Sequence, residues 1–224
     1  MRSLTKPKWL DYWSELDDPL NNDSTAAYYR EYGAELSLLL GSTAEGRVLE
    51  VGCGDGSLAG PLGFDRSRRY LGLDPSLPML KAFEARHPAL DIEQGDHSFR
   101  NDETFDLIFS CAVVQFMSPE MVRTHMDNCA AMLAPGGRIV WASVPWTRMR
   151  WSYARRDLTG FPRRSLPKAT LAHAKRRLVS DNMGFWHDTP FFSQLAEEHG
   201  LSYRFFGSLN YSYRFHSVFE RPVS

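Results

Sequence analysis

The chain of 224 residues has little cysteine: Cys53, Cys111 and Cys129, an odd number with no CxxC spacing. That argues against a disulfide framework or a cysteine zinc site and points to a reducing compartment, so a cytoplasmic location is expected. No run approaches the ~20 apolar residues that span a bilayer. The N-terminal "MRSLTKPKWLDYWSEL" has no apolar stretch followed by small residues, so it is not read as a signal peptide. Charge of one sign is missing too. Lys and Arg number 26, Asp and Glu 27, for a net charge of −1, so the whole-protein field does not attract nucleic acid. Internal repeats and low-complexity tracts are absent. What is present is ordinary for a globular chain: 43% apolar and 24% charged residues, at a length that suits one decorated α/β domain.

From Gly46 onward strand and helix signals alternate. "RVLEV" (47–51) is short and apolar, as a buried parallel strand should be. Glycines follow, then an expected short helix from about Ser57. "RYLGLD" (69–74), "LDIEQGD" (90–96), "FDLIFSCAVVQF" (105–116) and "RIVWASVP" (138–145) supply further strands. Helices are expected at 75–87 and in 118–137, the second capped by Ser118 with Pro119 in its first turn. Such an order implies a doubly wound parallel sheet. After a helix at 191–200, two strands joined by a turn near Asn210 make a hairpin, so the last strand should run antiparallel. We therefore expect a Rossmann-like, mostly parallel, seven-stranded α/β sheet. It would form a single domain of four parts: a helical, aromatic-rich cap (1–45), a core (46–145), an insertion or lid (146–189), and a final helix with its hairpin (190–224).

In such sheets ligands bind at the carboxyl ends of the strands. Gly52, Gly54 and Gly56 stand where the first strand ends, and Asp74, 18 residues after Gly56, closes the second. An acid there can accept hydrogen bonds from ribose hydroxyls. The glycines alone leave a dinucleotide open, because Gly54-x-Gly56-x-x-Ala59 satisfies a relaxed dinucleotide fingerprint. Glu50 weighs against it. A carboxylate at this turn is a poor neighbour for a pyrophosphate and a good one for a cation with amino-acid character.

With these residues the sequence resembles the class I S-adenosylmethionine-dependent methyltransferases, from about Arg47 to Pro145. "VLEVGCGDG", "YLGLDPS", "IEQGDHSF", "FDLIFSCAVVQF" and "LAPGGRIVWASVP" are similar to that family's successive segments. The resemblance implies S-adenosylmethionine as cofactor. Glu50, Gly52 and Gly54 would shape the methionine end, with Gly56 close by and Cys53 counted among the cofactor residues. Asp74, Pro75 and Ser76 would meet the ribose, and Asp96 and His97 the adenine. Ser110, Cys111, Ala112 and Gln115 would lie under the sulfonium. From the cap, Tyr28, Tyr29 and Tyr32 could reach the sulfonium, with Tyr28 counted among the cofactor residues.

Methyl transfer requires alignment more than a fixed catalytic signature, although an oxygen nucleophile can use a base. His187 in "GFWHDTPFF" is the base candidate. His87 and His199 read as helix C-terminal caps, His125 as a solvated mid-helix residue, and His216 as structural. The insertion holds ten basic residues and a single acid, Asp157, between Trp146 and Val179. It could be a solvated lid, an arginine-rich dock for an anionic metabolite, or a surface for RNA or an anionic membrane. Trp146, Arg150 and Trp186 are the expected acceptor contacts. No acid cluster for a metal can be assembled, so no metal is expected. The reading is a methyltransferase acting on a small, anionic molecule, with O-methylation favoured. N- or RNA methylation, an NAD(P)-binding oxidoreductase and a non-catalytic S-adenosylmethionine-binding protein remain open.

Overall fold

The structure of the protein, a computed structural model, describes residues 23–158, 162–178 and 183–222, without the side chains of 23–28 and 175–178. Trp9, Tyr12, Trp13, Phe161, the ring of Tyr28 and the side chains of Lys175, Arg176 and Arg177 lie outside the described residues. The strands are β1 (Arg47–Val51), β2 (Arg69–Asp74), β3 (Asp91–Gln94), β4 (Phe105–Cys111), β5 (Leu133–Pro145), β6 (Ser202–Gly207) and β7 (Arg214–Glu220). They form one seven-stranded sheet in the order β3-β2-β1-β4-β5-β7-β6. All pairings are parallel except those of β7, which runs antiparallel to both β5 and β6.

Period-two alternation explains why both faces of this sheet are covered. Leu49, Ile108, Ile139 and Trp141 point to one face, where α3 (Pro119–Met132) and α6 (Thr189–Glu198) cover them with Val122, Met126, Phe192 and Leu195. Val48, Leu107, Phe109 and Val140 point to the other, against α1 (Asp23–Leu40) and α2 (Leu77–Arg86). The edge strands β3 and β6 are largely exposed. The insertion adds α4 (Arg150–Arg155) and α5 (Leu166–Leu178). It then folds back, so that His187 bridges Trp146 in parallel fashion.

Three expectations need correction. Residues after the glycine loop form successive turns and a short 3₁₀ segment at Phe64–Arg66, with no regular helix from Ser57. Gly60 and Pro61 account for this: one is a poor helix former, and the other lacks an N–H and clashes with the preceding turn. Second, α3 stops at Met132 and β5 begins at once with Leu133, because Pro135 cannot extend the helix. Third, His125 is buried, not solvated. It shares the inner stripe of α3 with Val122, Met126 and Cys129. Its ring stacks on Trp141 at 5.4 Å and 15°.

Burial lowers the His125 pKa to about 4. Between the ordinary 6.5 and 4, the unfolded chain takes up a proton that the folded chain refuses. Its contribution is therefore intact above pH 6.5 and is lost as pH falls, at about 1.4 kcal/mol per pH unit. His125→Phe keeps the stack on Trp141 and removes that proton. Urea unfolding at pH 6.5 and 4.5 should show the variant losing about 2 kcal/mol less stability than the parent over this interval. Parallel losses would show that His125 carries no such linkage.

Candidate functional site

The carboxyl ends of β1, β2, β4 and β5 surround a cavity of about 360 Å³, lined among others by Glu50, Gly54, Asp74, Asp96, Gln115 and Arg214. Its floor is the turn after β1. Gly52 (φ 78°) donates its N–H to the Leu73 carbonyl at 2.7 Å. A Cβ there would stand 2.2 Å from a Val113 methyl, so only glycine lets β1 and the end of β4 approach this closely. Gly54 (φ 55°) differs: a Cβ on it would meet nothing within 4 Å. Its bare backbone lies on the cavity wall.

Asp74 fastens this turn to β2. One carboxylate oxygen accepts the Gly54 N–H at 3.0 Å, and the other accepts the Ser76 N–H at 2.8 Å. Burial raises its pKa, while the two amides oppose the rise. Each oxygen keeps a second lone pair for a hydroxyl donor. Glu50 is 2% exposed and accepts a 2.5 Å hydrogen bond from the Tyr70 hydroxyl. Burial, against the Tyr70 bond and with the nearby Asp74 and Asp55, pushes it to about 8. Among the described residues neither Glu50 nor Asp74 has a Lys or Arg partner, whereas Asp55 pairs with Arg86 at 2.7 Å. Asp96 accepts the Ser98 N–H and hydroxyl at 2.8 and 2.7 Å, and against burial these bonds hold its pKa down. The Ser76 hydroxyl and the Gln115 side-chain oxygen are buried without a protein partner, and both residues line the cavity.

Most of the cofactor candidates therefore converge. Glu50, Gly52, Cys53, Gly54, Asp74, Pro75, Ser76, Asp96, His97, Cys111, Ala112 and Gln115 are on the wall. Gly56 and Ser110 lie behind it; a Cβ on Gly56 would strike His87 and Phe83. The ring of Tyr28 falls outside the described side chains, while Tyr29 and Tyr32 line the cavity.

The acceptor candidates are placed elsewhere. His187 is 4% exposed, and its Nε2 donates to the Val114 carbonyl at 3.1 Å. Its ring packs on Phe191 and Phe192, and burial lowers its pKa to about 4. It stands behind the wall, so the expectation of a base at this position is corrected. Trp146 donates its indole N–H to Asp188 at 3.1 Å, and Arg150 lies over the Trp186 ring at 5.5 Å. These contacts hold the insertion together and leave all three residues off the cavity wall. Asp157, the single acid between Trp146 and Val179, draws in Arg155 and Arg163 at 3.3 and 2.9 Å.

Sequence reasoning missed Ser143, Tyr211, Tyr213 and Arg214, which are also on the wall. The signal was available. A last strand running antiparallel begins where its neighbours end, so "YSYR" at its start had to reach the ligand side.

Residues 49–139 match the family model described as "Methyltransferase domain". A ubiquinone biosynthesis O-methyltransferase of Nitrobacter winogradskyi is 36% identical over 106 residues, which is 44% of this chain and 38% of that protein. The alignment thus spans about two fifths of such curated relatives. Magnesium protoporphyrin IX methyltransferase from Synechocystis with bound SAH superposes with a TM-score of 0.66 at 15% identity, covering 97% of this chain and 100% of that one. A SAM-bound amino pentose methyltransferase from Micromonospora echinaspora gives 0.64 at 18%, covering 92% and 100%. At these identities the superpositions establish the fold. Together with the family-model match over residues 49–139, they show a methyltransferase-like domain fold from β1 to β5, similar to that of S-adenosylmethionine-dependent methyltransferases.

Proposed function

We propose that this chain is an enzyme that transfers the methyl group of S-adenosylmethionine to an oxygen of a small acceptor. The observation that carries the reading is the pair of buried acids, Glu50 and Asp74, on a cavity wall with no basic partner among the described residues. Buried acids ordinarily need a partner. A cofactor with an ammonium and a sulfonium supplies a positive charge that would favour the ionised form of Glu50, and ribose hydroxyls suit the spare lone pairs of Asp74. The open backbone at Gly54 and the partnerless polar atoms of Ser76 and Gln115 also fit such a ligand.

When bound, the cofactor supplies an electrophilic methyl on sulfur. Glu50 and the Gly52–Gly54 turn would hold its amino-acid end, Asp74 with Pro75 and Ser76 its ribose, and Asp96 with His97 its adenine. Cys111, Ala112 and Gln115 would support the region of the sulfur. The protein's part in the chemistry is to align the acceptor and exclude water. Tyr29, on the wall, is pushed by burial up to about 12, so it holds its proton at neutral pH. An acceptor that arrives already ionised suits such a wall. Transfer to oxygen is supported by the curated relatives named as O-methyltransferases over this segment. The dinucleotide oxidoreductase loses support, because the sheet ends in an antiparallel hairpin where a further parallel strand would stand. Among the described residues no helix is long and apolar enough to cross a membrane.

Turnover of S-adenosylmethionine to S-adenosylhomocysteine against a pool of small oxygen acids and phenols tests the reaction. Asp74→Ala removes an acceptor from Gly54, Ser76 and the ribose. Hydrogen bonds to a charged group contribute about 1.5–3 kcal/mol each, so calorimetry should show affinity for S-adenosylhomocysteine reduced by roughly 10- to 100-fold. Unchanged affinity would remove Asp74 from the site.

Glu50 gives a second outcome. Its folded pKa of about 8 lies above the ordinary 4.5, so the folded state retains a proton that the unfolded state releases. Stability linked to Glu50 is full below pH 4.5 and declines as pH rises towards 8. Glu50→Gln can keep the Tyr70 bond without this penalty. Relative to the parent, its thermal midpoint should rise between pH 5 and pH 8.5, by about 1–3 kcal/mol equivalent at the upper end. Its affinity for S-adenosylmethionine should fall. Identical pH–stability curves would refute the buried, proton-retaining carboxyl.

A further inference from the structure

The cavity wall is divided by charge. Glu50, Asp55 and Asp74 cluster at the ends of β1 and β2, whereas Arg214 is the single Lys or Arg on the wall among the described residues. Arg214 begins β7, opposite Pro145 at the end of β5. In the order β1-β4-β5-β7 it stands three strands from Glu50, about 14 Å at ordinary strand spacing. Its guanidinium lies over the Tyr211 and Tyr213 rings, at 5.8 and 5.7 Å, and those rings are 5.7 Å apart. No carboxylate among the described residues lies within ion-pair distance of it.

The backbone beneath Arg214 is held in an uncommon shape. Ser143 has φ 61° although it is not glycine, and it lies where the β5–β7 register shifts between Trp141 and Val144. Positive φ at a non-glycine residue costs energy and persists only where surroundings enforce it. Here they do. Arg214 Nη1 donates to the Ser143 carbonyl and, at 3.2 Å, meets its hydroxyl oxygen. The Ser143 N–H donates to His216 Nδ1 at 3.2 Å, and His216 Nε2 donates to Glu35 at 3.0 Å. Glu35 also accepts the Leu209 N–H at 2.6 Å, which fixes the turn leading to Tyr211. Bulges of this kind re-aim side chains beside functional sites.

The geometry points to Arg214, flanked by Tyr211 and Tyr213, as the anchor for a carboxylate on a flat, aromatic acceptor. This inference rests on the methyltransferase reading, which assigns the acidic end of the same cavity to the cofactor and leaves this end to the acceptor. A guanidinium can meet a carboxylate with two parallel hydrogen bonds, and tyrosine faces suit a planar ring.

Benzoate and benzamide share a shape and differ in charge, so they isolate the role of Arg214. Their binding to the full chain saturated with S-adenosylhomocysteine, followed by NMR titration at pH 7.5, should favour benzoate at least fivefold. Arg214→Gln should erase the preference while affinity for S-adenosylhomocysteine stays within twofold. Equal or absent binding of the two probes to the parent, or a preference that survives Arg214→Gln, would overturn the assignment. If Arg214→Gln does not fold, as judged by lost S-adenosylhomocysteine binding, Arg214→Lys is read instead. It keeps the charge without the fork, and the preference should fall at least twofold; an unchanged preference overturns the fork. A parent chain that does not bind S-adenosylhomocysteine refutes the methyltransferase reading, and this inference with it. A parent that binds it without preferring benzoate refutes this inference alone.

Discussion

Asp74 is the joint on which the cavity depends. Its two oxygens tie Gly54, in the turn after β1, to Ser76, at the start of α2. The Gly52 and Cys53 amides hold the first half of the turn to the Leu73 carbonyl, and the Asp74 tie fixes the bare backbone at Gly54. The joint forms only because β1 and β2 are parallel neighbours in a register that brings Val51 beside Leu73. Two short strands of buried aliphatic residues thus decide where a carboxylate and two amide groups meet. The same alignment brings Glu50 beside Gly72, within reach of the Tyr70 hydroxyl.

This arrangement costs stability. Two acids and a tyrosine are packed where apolar groups would be more favourable, and burial raises the pKa of both Glu50 and Asp74. A cavity whose acids are held above their ordinary pKa is poised for a cationic ligand, which favours their ionised forms. The protein tolerates it because the rest of the sheet is densely apolar on both faces, with Trp141, Phe109, Phe192 and Phe219 fully buried. The buried histidines fit the same pattern. His125 and His187 fill core positions as neutral rings and would destabilise the fold once charged.

Much of this was legible in the sequence, for identifiable reasons. β1 and β2 match their expected limits residue for residue, because short apolar runs with a charged start and a glycine or aspartate stop leave little freedom. The hairpin at the end was legible from two strands with a short turn. The helix after the glycines was not, since "SLAGPLG" carries apolar spacing but also a glycine and a proline that break it. His125 was misjudged for a different reason. A polar residue was read by type, although its spacing from Val122 and Cys129 put it on the buried stripe. His187 and the arginines of the insertion were placed by topology alone. Topology located the correct end of the sheet but could not distinguish a side chain on the wall from one packed behind it.

The most informative residue was hidden by a similar gap. Ten basic residues in the insertion drew attention as an anion dock, yet several are absorbed by local partners: Arg148 by Asp188, Arg155 and Arg163 by Asp157, Arg164 by the Ala154 carbonyl. Local charge density is therefore a weak guide to charge presented to a ligand. Arg214, isolated in sequence, faces the cavity because β7 alone reverses direction, which places the start of that strand among the ends of its neighbours. A sheet of entirely parallel strands would present only carboxyl ends and their following loops on this side. One reversed strand, with the hairpin turn that precedes it, lets the fold set a basic, aromatic wall opposite an acidic one. In this chain the antiparallel strand is thus the element that gives the cavity two chemically different ends.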